Sequence, residues 1–162
     1  MAEYIVIAVL LGTPLALGII FKLRASQLFF AILASELLAR YFGHEAETVI
    51  MTLTKNELLA AYGEPLVLIL PIILTAIFLR NSIKGPRAII NLVPLALTGI
   101  VFAAFMLPIL PGYLQDQARL NTIGAQILEL NLLVVGGIVL LHFISLWFIE
   151  GKEPHHKKHK KK

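Results

Sequence analysis

The chain has 162 residues, 58% of them hydrophobic, with a mean hydropathy of +0.84. Soluble domains hold about 45–50% apolar residues, so this composition indicates an integral membrane protein, and the length suits one domain. The formal net charge is +4, yet residues 157–162 (KKHKKK) carry five lysines and the remainder is near neutral; the absence of cysteine excludes disulfides, thiol nucleophiles and thiolate metal sites.

Apolar runs predict an all-α bundle of five transmembrane helices at about residues 4–21, 25–42, 65–82, 88–108 and 130–149, together forming a membrane domain over 1–151. The first run has 18 residues, or roughly 27 Å at 1.5 Å per residue, close to the thickness of a hydrocarbon layer. Each run must be helical, because lipid offers no partner for an unpaired backbone N–H or C=O. Glu3 stands where a secretory signal has basic residues, and no small-x-small cleavage site follows. The first run therefore reads as a retained anchor.

Only Lys22, Leu23 and Arg24 separate the first two runs, which predicts a tight antiparallel hairpin. In the next connection, Thr54 and Glu57 have capping-box spacing, and Gly63 and Pro65 follow. These features predict a short helix at about 55–62, capped by Thr54 and closed by Gly63. Gly85-Pro86 breaks the chain after the third run; Asn91 is positioned to cap the next helix, with Pro94 in its first turn. Pro108, Pro111 and Gly112 end that helix. Pro14 and Pro71 lie inside spans and should kink them unless neighbours satisfy the freed carbonyls. Residues 152–162 read as a disordered polybasic tail.

Charge alternates between connections. Lys22 and Arg24, then Arg80, Lys84 and Arg87, then Lys152 and the tail lysines define one side. Residues 43–64 (Glu45, Glu47, Glu57 and Glu64 against Lys55) and 115–129 (Asp116 and Glu129 against Arg119) define the other. Basic connections stay in the cytoplasm, which predicts the N-terminus outside and the C-terminus inside, in a plasma (inner) membrane.

Two stretches, FKLRASQLFFAILASELLARYF and IKGPRAIINLVPLALTGIVFAAFML, each pair a basic turn with a following span. With the intervening amphipathic outer segment, this layout resembles the colicin V production protein family of bacterial inner-membrane proteins over about residues 1–112. Arg87 matches the arginine of that family's second turn, but its glycine series is replaced by Asn91, Pro94 and Gly99, and Arg24-Ala25 replaces an arginine–glycine pair. The resemblance implies an envelope protein that is not an enzyme.

Glu36 is the sharpest candidate for a role, since a charge within a span costs about 2.5–3.5 kcal/mol on insertion scales. Arg40 follows at i+4 in the acid-first orientation, so the glutamate is a structural partner of Arg40, a proton or cation relay, or a partner-binding group. His142, near Ser145, is either a hydrogen-bonded bundle residue or a second relay member. His44, Glu45 and Glu47 are metal-ligand types without metal-site spacing, so no metal or cofactor is expected. The lysines Lys157, Lys158, Lys160, Lys161 and Lys162 are expected to attract anionic lipid headgroups, at about 1 kcal/mol each near a surface. Nothing in the sequence reads nucleic acid. The leading expectation is a non-enzymatic membrane protein acting through protein partners or lipid, as a homo- or hetero-oligomer. The alternative is a small transporter or channel subunit that uses Glu36.

Overall fold

A computed structural model describes residues 2–82, 91–129 and 132–150, and the predicted tail lies outside them. Among the described residues the chain is all-helical. The elements are α1 (Ala2–Ile20), α2 (Ala25–Thr54), α3 (Glu57–Ala60), α4 (Gly63–Phe78), α5 (Leu92–Met106) extended by a 3-10 turn at Leu107–Ile109, α6 (Gly112–Arg119), α7 (Thr122–Leu128) and α8 (Leu132–Glu150). Two stretches among the described residues, Glu57–Phe78 and Leu92–Ile109, are long and apolar enough to cross a membrane, and Tyr4–Ile20 is a shorter apolar helix. Both α1 and α4 continue as helices through their internal prolines, Pro14 and Pro71.

The hub is α5. Its buried residues include Leu95, Thr98, Gly99, Phe102 and Met106, and α1, α2 and α8 all pack on it, while α4 packs along α2. The first two helices are therefore not the packed hairpin their short turn suggests: α1 lies along α5, and α1 and α2 barely touch. The buried stripes explain this. In α1 the stripe is Ile7, Leu10, Pro14 and Gly18, spaced i, i+3, i+7 and i+11, which is one helix face. A Cβ on Gly18 would lie 2.5 Å from the Leu95 side chain, and one on Gly99 would lie 2.4 Å from the Leu11 carbonyl oxygen. This face belongs to α5.

In α2 the buried residues Ala31, Ser35, Ala39 and Gly43 recur every fourth position. Small residues at that spacing let two helix backbones approach closely. α4 answers with Pro65, Leu68, Ile72 and Ala76. At the upper end of this seam, a Cβ on Gly63 would stand 2.5 Å from the backbone nitrogen of Glu47. Gly63 is thus the first residue of α4 at a point of backbone contact, and not the C-cap of a linker helix.

The same seam explains why α2 runs to Thr54, twelve residues past its expected end at 42. Gly43 does not break the helix, because it packs against the Glu64 side chain. Thr48, Thr52 and Thr54 donate their hydroxyls to the carbonyls four residues back, and α2 ends only where Lys55 turns left-handed at φ 52°. The cap of α3 is Asn56, whose side chain accepts from the N–H groups of Leu58 and Leu59, so Thr54 is not the predicted cap. The connection expected at 115–129 is also helical. Asn121 caps α7 through Ile123 N–H, and the Gln115 amide donates to the Pro108 and Leu110 carbonyls.

The Gly99–Leu11 approach yields a controlled comparison. Gly99→Ala pushes α1 off α5 and should cost about 1–3 kcal/mol, as overpacking does. Gly12, also within a helix, has open space around its Cβ position, so Gly12→Ala should be neutral or stabilising by up to about 1 kcal/mol. Thermal unfolding in detergent measures both, and equal effects would discount the close contact.

Candidate functional site

Glu36 and Arg40 lie one turn apart on α2, and Arg40 Nε donates to Glu36 Oε1 at 2.6 Å. The glutamate side chain is 14% exposed and the arginine side chain 55%. The acid is thus sunk against the bundle, while the longer base reaches outward and covers it. Glu36 and Glu47 both lie within Coulombic reach of the Glu64 carboxylate across the α2–α4 seam, so Arg40 offsets a local excess of negative charge. His44 and Glu47 are 3.9 Å apart on the exposed face of the same helix. Among the described residues, no three groups of metal-ligand type come together.

His142 occupies a different place. It is 1% exposed on α8, and its Nε2 lies 2.9 Å from Oγ1 of Thr98 on α5. The Thr98 hydroxyl has one proton and gives it to the Pro94 carbonyl at 2.8 Å. It therefore accepts from His142, which requires the proton on Nε2. Phe29 of α2 meets the imidazole edge to face, with ring centroids 4.5 Å apart, and Phe30 meets Phe143 at 6.0 Å. Three helices converge on this one imidazole. Side chains of α8 are apolar on nearly all sides (LLVVGGIVLLHFISLWFIE), so burial of apolar surface does not select a rotation for it. The Thr98 bond and the Phe29 contact do.

The structure does not join Glu36 to His142. Glu36 follows Phe29, the neighbour of His142, by seven residues, roughly 10 Å along the helix axis, and its hydrogen bond goes to Arg40. The Ser145 side chain and Lys157, Lys158, Lys160, Lys161 and Lys162 lie outside the described residues.

Asn91 has a role that its position did not suggest. It precedes α5 but makes no capping bond there. Its amide instead accepts from Ala25 N–H at 2.9 Å and donates to the Leu23 carbonyl at 2.9 Å. Leu23 and Ala25 are fully buried, so the two bonds satisfy backbone groups that would otherwise be orphaned at the start of α2. This clamp inserts the head of α5 at the α1–α2 turn, which is why those helices part. The signal available beforehand was an asparagine beside a buried turn 66 residues away in sequence, a pairing that no local pattern encodes. At the opposite end, the Tyr62 and Tyr113 hydroxyls bond one another.

Removing the Thr98 hydroxyl should expose the role of the buried pair. Thr98→Val strands the His142 N–H and should cost about 1–3 kcal/mol. Adding His142→Phe removes the orphaned donor and should recover part of that loss. Unfolding in detergent reads the cycle, and additive losses would mean that the two side chains are not coupled.

No family model, curated protein or solved structure matches the chain.

Proposed function

We propose that this chain is a five-span, multi-pass protein of the plasma (inner) membrane, N-terminus outside and C-terminus cytoplasmic, that acts by association with partner proteins or lipid and not by catalysis. The observation that carries this reading is the apolar outward surface of every long helix. Ile20 on α1, Phe42 on α2, Phe78 on α4, Val93 on α5 and Trp147 on α8 are each more than half exposed, while the polar Ser35, Thr98 and His142 are buried. In water such a surface would be an association hazard; in lipid it is the solvated face. Charge supports the orientation. Lys22 and Arg80 stand at the α1–α2 and post-α4 turns, which a hydrogen bond from Asn81 N–H to the Phe21 carbonyl joins at 2.7 Å. Glu47 and Glu64 stand at the opposite end, where the Tyr62–Tyr113 pair suits an interfacial aromatic belt. The likeness to colicin V production proteins favours the same kind of role, an envelope component working through its neighbours. Association is preferred to transport because Glu36 and His142 each satisfy a separate local bond instead of lining one path.

Two measurements test this. A reporter active only in the cytoplasm should work when fused after Lys84 or Lys162 and be silent near Lys55; activity at Lys55 reverses the orientation. For Glu36, a structural role predicts that Glu36→Gln and Arg40→Gln each lower the melting temperature in detergent. The double substitution should then cost less than their sum by about 0.5–1 kcal/mol. A proton- or cation-dependent flux in liposomes that the wild type has and Glu36→Gln lacks would replace the association reading with transport.

A further inference from the structure

We propose that the basic end of the bundle holds one anionic phospholipid, its headgroup between Lys22 and Arg80 and its chains against the exposed apolar residues just below them. The proposal rests on the membrane reading above and adds a defined site to it, separate from the lysine tail.

Three observations converge here. First, the hydrogen bond from Asn81 N–H to the Phe21 carbonyl, 2.7 Å long, joins the turns that carry the two cations, since Lys22 follows Phe21 and Arg80 precedes Asn81. Lys22 and Asn81 both have left-handed backbones, at φ 53° and 64°, a region that residues other than glycine rarely adopt. The fold therefore holds this pairing at some conformational expense. Second, both cations are exposed, and neither belongs to an ion pair among the described residues. Residues 4–35 and 65–115, the sequence on either side of each cation, contain no aspartate or glutamate. The two cations thus stand on turns that a backbone hydrogen bond joins, with no carboxylate in the adjacent sequence, and an external anion can serve both. A phosphodiester suits both, because a guanidinium presents two parallel donors to it and an ammonium adds a point charge.

Third, the side chains next to the cations are apolar and outward. Ile19 and Ile20 before Lys22 are 52% and 71% exposed, and Phe78 and Leu79 before Arg80 are 77% and 42% exposed. A free phosphate would use the cations and leave this ledge bare. A phospholipid uses both, with its charged head on the pair and its acyl chains along the ends of α1 and α4. Basic sites between spans on the cytoplasmic side suit such headgroups.

The test uses the full-length protein, purified in detergent and stripped of lipid, then titrated with phosphatidylglycerol or phosphatidylcholine. Lipid retention is read by native mass spectrometry and stabilisation by melting temperature. The wild type should prefer phosphatidylglycerol by roughly thirtyfold, the effect of two cations near a charged surface. Lys22→Gln with Arg80→Gln should lose that preference, Lys22→Gln alone should lose roughly fivefold, and the charge-keeping Lys22→Arg with Arg80→Lys should retain it. Replacing the five terminal lysines by glutamine should leave it in place. An unchanged preference in either glutamine variant at positions 22 and 80, or its loss on neutralising the tail alone, overturns the site. Displacement of phosphatidylglycerol by millimolar inorganic phosphate would overturn the lipid assignment in favour of a soluble anion. Extraction of the chain from its native membrane by alkaline carbonate would refute the membrane reading itself, and the site with it.

Discussion

Because the long helices of this bundle carry large apolar side chains on their exposed flanks as well as in the core, hiding apolar area cannot by itself decide which helix faces meet. What remains is contact: helices associate where their backbones come close enough for dense van der Waals packing. The chain provides this at three places, with Gly99 against Leu11, Gly63 against Ala46 and Glu47, and the Ala31–Ser35–Ala39–Gly43 stripe along α4. At Gly99 and Gly63 a Cβ would meet the backbone of the partner helix, and at Gly43 it would meet the Glu64 side chain. The pairing of α1 with α5 and of α2 with α4 follows from these contacts, and the connection lengths merely permit it.

Hydrogen bonds then fix what packing leaves free. α8 presents leucine, valine and isoleucine all round, and a helix of that kind rotates in its seat without losing apolar contact. The bond from His142 to Thr98, with Phe29 against the imidazole, selects one rotation. Asn91 does the same for a connection. By closing on the Leu23 carbonyl and the Ala25 N–H, it satisfies buried backbone groups and sets the start of α5 between the first two helices. Both devices bind a side chain to a distant partner, and the buried His142–Thr98 bond weighs more than it would on a wetted surface.

The sequence made some of this legible, and the divide follows the range of the interaction. α1 and α8 were readable because an uninterrupted apolar run is a local property. The Glu36–Arg40 contact was readable because i and i+4 are neighbours on any helix. The length of α2 was not, since the apolar run ends at Phe42 while the helix continues with the support of α4 at Gly43 and Gly63. Gly63 looked like punctuation and turned out to be a point of contact. Asn56 and Thr54 are near-equivalent cap candidates by residue type, and only the left-handed turn at Lys55 decides between them. The partners of His142 and Asn91 lie 44 and 66 residues away, beyond any periodicity.

The two ends of the bundle are consequently built by different means. At the basic end, three chain segments meet within a few residues, tied by Asn91 to Leu23 and Ala25 and by Asn81 to Phe21. Hydrogen bonds between segments resist separation, so the turns that carry Lys22 and Arg80 stay together. At the acidic end, α2 overhangs the seam, and α3 and the short α6 and α7 helices complete the structure. Val49, Leu53 and Leu58 are left exposed on that overhang, and the hydroxyl bond between Tyr62 and Tyr113 joins the α3–α4 junction to α6. At the other end, by contrast, Asn91 and Asn81 close hydrogen bonds onto the α1–α2 turn from two later segments of the chain.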